Sequence, residues 1–317
     1  MKQFLLAAVC LSSVLAHAQV VTTAAPSLRI DPDTRSGGMG NLGLATSPDA
    51  QSGLFNLAKT PFAEARSGLG LNYTPWLTSL ASGMYYLEAA GYHRFDTLQA
   101  LSAAVRFFSL GDADVIDYSG AHLQTAHPRE YSVDLGYSRR LFDGLGVGVT
   151  FRYLNSSLVS GNVNGTDYHT AAAVGADVSL FYRWQGLSAG LALSNLGTKI
   201  AYSDEEKDNQ PTHLGLGVAY TFVLDEDNRI QAGVDVGKLL VGDGPGNFSL
   251  GAEYAFQRVF FVRAGYYRET AQHYLTAGLG LHYKSAGLDF SYIAPQGNGA
   301  TQSPMSNAVK FGVSFGF

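Results

Sequence analysis

The chain has 317 residues, 46% of them hydrophobic and 12% aromatic but only 15% charged, with 37 glycines and a formal net charge of −5. That weakly acidic balance argues against a nucleic-acid partner. Beyond the N-terminal leader, no apolar run reaches the ~20 residues that a membrane helix needs. What remains is an all-β chain, either soluble and exported or a barrel whose membrane signal is divided among many alternating segments.

In chain order, "MKQFLLAAVCLSSVLAHAQ" combines Lys2, an apolar run from Phe4 to Ala16, and small residues at Ala16 and Ala18. This predicts a signal peptide over residues 1–18, cleaved before Gln19. Cys10 is the only cysteine and leaves with it, so the mature chain forms no disulfide. A lipid anchor at Cys10 is the competing reading. Val9, too large for the usual small residue, and the short preceding run oppose it.

Residues 19–66 have a different character, dense in Gly, Pro and Asp. They are too long for a lead-in and unsuited to a strand ladder. They form either a periplasmic tail or a plug folded into a barrel mouth. Leu28, Ile30, Leu42, Leu44, Leu54 and Phe55, spaced through the segment, favour the plug, a hatch segment over 19–66.

From residue 67 to 317 the pattern turns to period two. Fourteen strands are expected, at about 67–75, 82–94, 97–109, 129–140, 144–155, 167–184, 186–195, 212–223, 228–240, 247–256, 258–268, 272–283, 286–293 and 306–317. The number is even, as a single-chain bacterial barrel requires. Tight connections such as "RWQG" and "KSAG" alternate with long ones such as "NLGTKIAYSDEEKDNQP". The prediction is a 14-stranded antiparallel transmembrane β-barrel over 67–317 with an N-terminal hatch. With both ends of the chain on the tight-turn side, the long loops face outside the cell. The last stretch, "VKFGVSFGF", sets Val309, Phe311, Val313, Phe315 and Phe317 on one face. An apolar strand of this kind invites aggregation on a soluble edge but is at home as a barrel's closing strand.

Charges fix which face is which, because Lys or Arg on the lipid face at mid-membrane costs roughly 2–4 kcal/mol. Asp134, Arg152, Asp177, Arg183, Asp235, Glu253, Arg263, Asp289 and Lys310 are therefore expected to line the lumen. They form either a polar substrate path or a salt-bridged lining that rigidifies the barrel. Mixed signs favour the lining.

Enzyme signatures are weak. Two G-x-S-x-G strings, at 186–190 and 312–316, lie inside expected strands rather than at the strand-to-helix turn of a nucleophile elbow. The G-x-G-x-x-G at 38–43 neither follows a strand nor opens a helix. The histidines have no paired-ligand spacing, and "DEEKDN" at 204–209 reads as a solvated loop before a cation site. No catalytic residue, metal or cofactor is assigned. A lipid A deacylase would need a Ser or His pair at the lipid-facing rim, and none stands out.

The stretches "SLRIDPDTRSGGMGNLGLATSPDAQS", "LNYTPWL", "LQALSAAVRFFSLG", "SNLGTKIAYSD" and "FVRAGYYRE" resemble the PorV family of type IX secretion outer-membrane proteins. With the PorQ family, it is related to barrels similar to the long-chain fatty acid transporter (FadL). Two departures stand out. Asn56-Leu57-Ala58 replaces the usual Asn-Pro-Ala where hatch meets wall, and "LLVGDGPG" after Lys238 is short. The resemblance implies a non-enzymatic carrier in the outer membrane of a Gram-negative, Bacteroidota-type cell. Such a carrier receives cargo by its C-terminal signal domain from the translocon barrel. It delivers that cargo to a surface sortase that attaches lipopolysaccharide. The residues themselves support only a platform with long outward loops bearing Trp76, Leu77, Tyr118, His122 and Tyr202. Such aromatics either anchor partners or form a membrane-interface girdle. The alternative function is a FadL-like transporter of hydrophobic or small solutes.

Overall fold

The computed structural model describes residues 23–77, 83–204, 207–270, 272–294 and 307–317. The predicted signal peptide, with Cys10, lies outside them, as do Glu205 and Glu206 of the acidic loop.

Among the described residues twenty strands form: β1 Ser67–Pro75, β2 Met84–Arg94, β3 Gln99–Leu110, β4 Ala113–Ile116, β5 His122–Ala126, β6 Arg129–Phe142, β7 Leu145–Ser157, β8 Gly161–Val163, β9 Thr166–Tyr168, β10 Ala171–Trp184, β11 Leu187–Gly197, β12 Ile200–Ala201, β13 Lys207–Asp208, β14 His213–Val223, β15 Asn228–Leu239, β16 Gly246–Phe256, β17 Phe260–Glu269, β18 Gln272–Tyr283, β19 Ala286–Ala294 and β20 Val309–Gly316. Fourteen of them close a barrel in the order β1-β2-β3-β6-β7-β10-β11-β14-β15-β16-β17-β18-β19-β20. Each pairs antiparallel with its chain neighbour, and β20 closes on β1. Closure removes the free edge that an open sheet would expose.

The wall follows from the alternation. In β7, Thr150 and Arg152 are buried while Val149, Phe151 and Tyr153 are exposed. In β18, Tyr274 and Thr276 face in while Leu275 and Leu279 face out. The outer surface is a belt of Leu, Val, Phe and Tyr, and the inner one is Gly, Ser, Thr and charge. A face this apolar and this exposed requires hydrocarbon around it.

Three long connections are not structureless. They carry the two-stranded sheets β4-β5, β8-β9 and β12-β13. The sixth barrel strand, expected from 167, accordingly begins at Ala171, because Thr166–Tyr168 pairs locally with Gly161–Val163.

Residues 23–66 precede the wall and run through its interior. The expectation that both chain ends lie on the tight-turn side holds only for the barrel itself, where the Ser67 and Phe317 backbones exchange hydrogen bonds. The described chain starts at the opposite end. Ala24 donates to the Asn209 carbonyl in the long loop between β11 and β14, and Ala25 packs with Leu154, Ala171 and Ile200. The chain then passes down the lumen through short helical turns, at Pro26–Arg29, Thr34–Gly37, Ser52–Phe55 and Leu57–Phe62. At the tight-turn end Phe62 meets Phe181 edge-on at 5.4 Å. Glycines in the wall admit this close approach. A Cβ on Gly251 or Gly265 would stand 2.2 Å from backbone atoms of Met39, and one on Gly190 would stand 2.1 Å from the Leu44 carbonyl.

Candidate functional site: a filled lumen beneath outer loops

Two charge networks organise the interior. In the first, Arg106 Nη2 on β3 reaches Asp134 on β6 at 2.6 Å. Arg152 on β7 bridges Asp134 at 2.8 Å and Asp177 on β10 at 2.7 Å, and also meets the Asn195 side chain. Asn195 returns its backbone N–H to Asp177 at 2.6 Å, across a register shift between β10 and β11. Five strands are laced together side by side. In the second network Glu253 on β16 takes Arg263 of β17 at 2.7 Å, and Arg263 reaches Asp289 on β19 at 2.6 Å. His282 lies 3.1 Å from the same Asp289.

The second network also holds the internal segment. Arg35 forks onto both Glu253 oxygens, at 2.9 and 2.7 Å, and reaches Asp49 at 2.8 Å. Two-pronged guanidinium–carboxylate pairing fixes orientation as well as distance. Elsewhere Asp235 accepts from the Gly43 and Leu44 backbone, each at 2.9 Å. Lys310 Nζ donates to the Asp31 carbonyl at 2.6 Å and lies 3.5 Å from its carboxylate. Thr60 and Ser138 share a 2.7 Å hydrogen bond. Where proline is missing at Asn56-Leu57-Ala58, Asn56 itself closes the turn. Its Oδ1 accepts from Ala58 N at 3.1 Å, and its Nδ2 donates to the Leu44 and Leu180 carbonyls at 2.9 and 2.8 Å.

The nine charges singled out from sequence thus occupy three settings. Asp134, Arg152, Asp177, Arg263 and Asp289 pair across the wall. Asp235, Glu253 and Lys310 grip the internal segment. Arg183 is exposed at the tight-turn rim, its guanidinium 5.1 Å from the Phe62 ring centre. Sequence reasoning missed Glu88, Arg106 and Glu130, which obey the same rule of a charge alternating with apolar residues. Glu88 accepts from Asn72 at 2.7 Å, and Asn72 in turn accepts from Thr34. Glu130 accepts from the Ser27 backbone at 3.2 Å. Arg35 and Lys59 carried no such signal, since the internal segment has no strand alternation to set their face.

Within the internal segment, burial pushes the Lys59 ammonium down to about 8, with Arg35 acting in the same direction and Asp49, Asp235 and Asp33 opposing it. The Nζ donates to the Gly43 carbonyl at 2.6 Å. Burial, with Asp49 and Asp31 nearby, pushes the Asp33 carboxyl up to about 7.

The outer loops differ from the exposed platform expected from sequence. Tyr118, at the tip of the β4-β5 hairpin, is 93% exposed. His122 is exposed and lies 3.3 Å from Asp114. Trp76 is a correction, because it is 5% exposed and packed edge-on against Phe108, with Tyr86 beside them. Asn72 and Thr74 face inward, and Trp76 continues that parity while its N–H bonds the Met84 carbonyl. Leu77 follows with φ 45 and packs on the same cluster. Tyr202 is also not a surface anchor. It is half-buried against the Ala25 cluster, its hydroxyl 2.9 Å from Ser156 Oγ.

The G-x-S-x-G strings lie in β11 and β20, and Ser188 Oγ donates to the Ala45 carbonyl at 2.7 Å. The glycines at 38–43 lie in the internal segment against the wall. Among the described residues no cluster of metal-ligating side chains forms. Between segment and wall, toward the long-loop end, lies a cavity of about 180 Å³ lined by Leu28, Ile30, Leu44 and Phe55 on one side and Asp235 and His213 on the other.

A closed antiparallel barrel with an apolar belt and a filled lumen shares its fold with outer-membrane barrels of the FadL type. Solved structures of that class superimpose on it. The CymD monoaromatic hydrocarbon channel matches with TM-score 0.63 at 12% identity over 90% of this chain and 97% of its own. The Pseudomonas putida toluene transporter TodX gives 0.62 at 12% over 89% and 97%. A Pseudomonas aeruginosa FadL homologue gives 0.52 at 10% over 89% and 97%. No curated protein matches the chain. The family described as "Type IX secretion system protein PorV" matches residues 15–246, and the chain belongs to that family, an outer-membrane component of type IX secretion.

Proposed function

We propose that this chain is a non-enzymatic carrier of type IX secretion. It receives cargo at its outer loops by the cargo's C-terminal signal domain and passes it from the translocon barrel to the surface sortase and its lipopolysaccharide. Membership of the PorV family supports the pathway. The observation that carries the division of labour is the filled lumen, in which Asp235, Glu253 and Lys310 hold the internal segment through Gly43 and Leu44, Arg35 and Asp31. What remains for a protein partner is the long-loop surface, with the β4-β5 hairpin standing from it.

The test is a pull-down of tagged protein from outer membrane, with and without residues 113–126. Cargo bearing signal domains and the translocon should co-purify with the full chain, and cargo should fall away with the shortened loop. Undiminished cargo recovery from the loop deletion would reject the carrier surface.

A solute transporter is the second reading. It is favoured by the likeness to hydrocarbon channels and by the 180 Å³ cavity beside the internal segment. It requires the segment to move and predicts uptake that depends on the lumen rather than on the loops.

A further inference from the structure

The outer wall is indented. Across β1, β2, β3 and β6 runs a groove of about 1030 Å³ with Ala89, Gly91 and Ala103 as its floor. Gly91 sits opposite Ala103 in the β2-β3 register. Leu69 stands beside Gly91 and Leu135 beside Ala103, so two large side chains wall in two missing ones. A second hollow of about 410 Å³, sharing Ala89 and Val105, extends it toward the long-loop end.

The two ends differ in chemistry. Toward the long loops the lining is aromatic, with Tyr73, Phe107 and Phe311. Toward the tight turns are His93 and Tyr137, and beyond them Gln99 paired with Arg139. Tyr137 donates to Gln99 Oε1 at 2.6 Å. His93 Nδ1 is 2.8 Å from Ser67 Oγ, and its Nε2 has no partner among the described residues. Arg139 is exposed; no carboxylate lies on the outward face of β1, β2, β3 or β6, and the acid within electrostatic reach of it is Asp96 in the β2-β3 turn.

We propose that this groove is a site for one glycerophospholipid of the leaflet at the tight-turn side. An acyl chain lies along Ala89, Gly91 and Ala103, and the phosphate sits beside Arg139 and His93. An amphiphile matches a groove that is apolar along its length and cationic at one end, at the level where headgroups lie. A second copy would bring Arg139 no anion beyond the Asp96 it already has in its own chain, and the test below separates it from a lipid.

Native mass spectrometry of the full chain, extracted in mild detergent, tests this after incubation with phosphatidylglycerol, phosphatidylethanolamine or diacylglycerol. One phospholipid should remain bound, and diacylglycerol roughly tenfold less. Ala103→Phe fills the floor from the outside and should lower retention by roughly tenfold. Arg139→Gln should lower it about fivefold, with the loss shrinking in salt. Ala172→Phe, on the outward face of β10, is the control and should change nothing. Heat-modifiable migration establishes that each variant is a folded barrel. Equal retention by wild type and Ala103→Phe overturns the proposal. So does diacylglycerol bound as well as phospholipid, or a dimer that Ala103→Phe dissolves.

Discussion

Arg152 is at most 4% exposed and touches Asp134, Asp177 and Asn195 at once, so its environment is set by three strands other than its own. Arg152→Leu takes the cation from Asp177, and Asp177→Leu removes one of the two carboxylates that Arg152 bridges, so in this confined site each should cost about 1–3 kcal/mol. Val147→Leu and Val178→Leu, on the lipid side of the same strands, should lie near zero. Urea unfolding midpoints in detergent separate the pairs, and equal shifts in all four would contradict the inward placement. Lys59 supplies a pH test. Its folded value near 8 lies below the ordinary 10.5, so between those values the unfolded chain binds more protons than the folded one. Stability therefore rises with pH across that window. Protease resistance of the internal segment should increase from pH 8 to pH 10, and Lys59→Met should flatten the trend.

At the scale of elements, the closing strand carries the clearest signal. β20 pairs with β19 on one side and β1 on the other, and Phe317, 69% exposed, bonds Ser67 through its backbone. The Ser67–Phe317 exchange is the last rung of the closing seam, so changes at Phe317 act on closure of the barrel. Deleting Phe317, or Phe317→Asp, should lower barrel abundance in the outer membrane. Normal levels with normal heat-modifiable migration would refute that role. The β4-β5 hairpin behaves differently. Its outer half is exposed and held by surface His–Asp contacts, which contribute little. Its removal should leave the unfolding midpoint unchanged while removing cargo.

On the scale of the whole molecule, carrier and transporter differ in whether the internal segment moves. The Thr60 and Ser138 hydroxyls are 2.7 Å apart, one on the segment and one on the wall. Thr60→Cys with Ser138→Cys places two thiols where a disulfide would lock them, in a mature chain with no other cysteine predicted. The carrier reading expects surface display of cargo to be the same with the lock closed or reduced. The transporter reading expects solute uptake to stop when it closes and to return with reductant. Bulky substitutions at Gly148 are a poorer block, because a Cβ there already stands 2.8 Å from Ala58 N.

Strand number, order and inward face were legible in the sequence because each rests on local rules. Alternation with period two, a charge that excludes lipid and short turns alternating with long loops all act within about ten residues. The barrel strands at Ser67–Pro75 and Gln272–Tyr283 end where the pattern places them. Local rules were also enough to find Glu88, Arg106 and Glu130, had they been applied to every strand, and to turn Trp76 inward by parity. What tertiary structure alone decided is whatever joins residues far apart. Arg35 with Glu253, Lys310 with Asp31 and Asp235 with Gly43 are separated by most of the chain, and no local pattern links them. The direction of the internal segment, the 180 Å³ cavity and the groove over Gly91 and Ala103 depend on strands brought into register by closure. The physical reason is that a side chain's face is set by its own strand, whereas its partner is set by the whole cylinder.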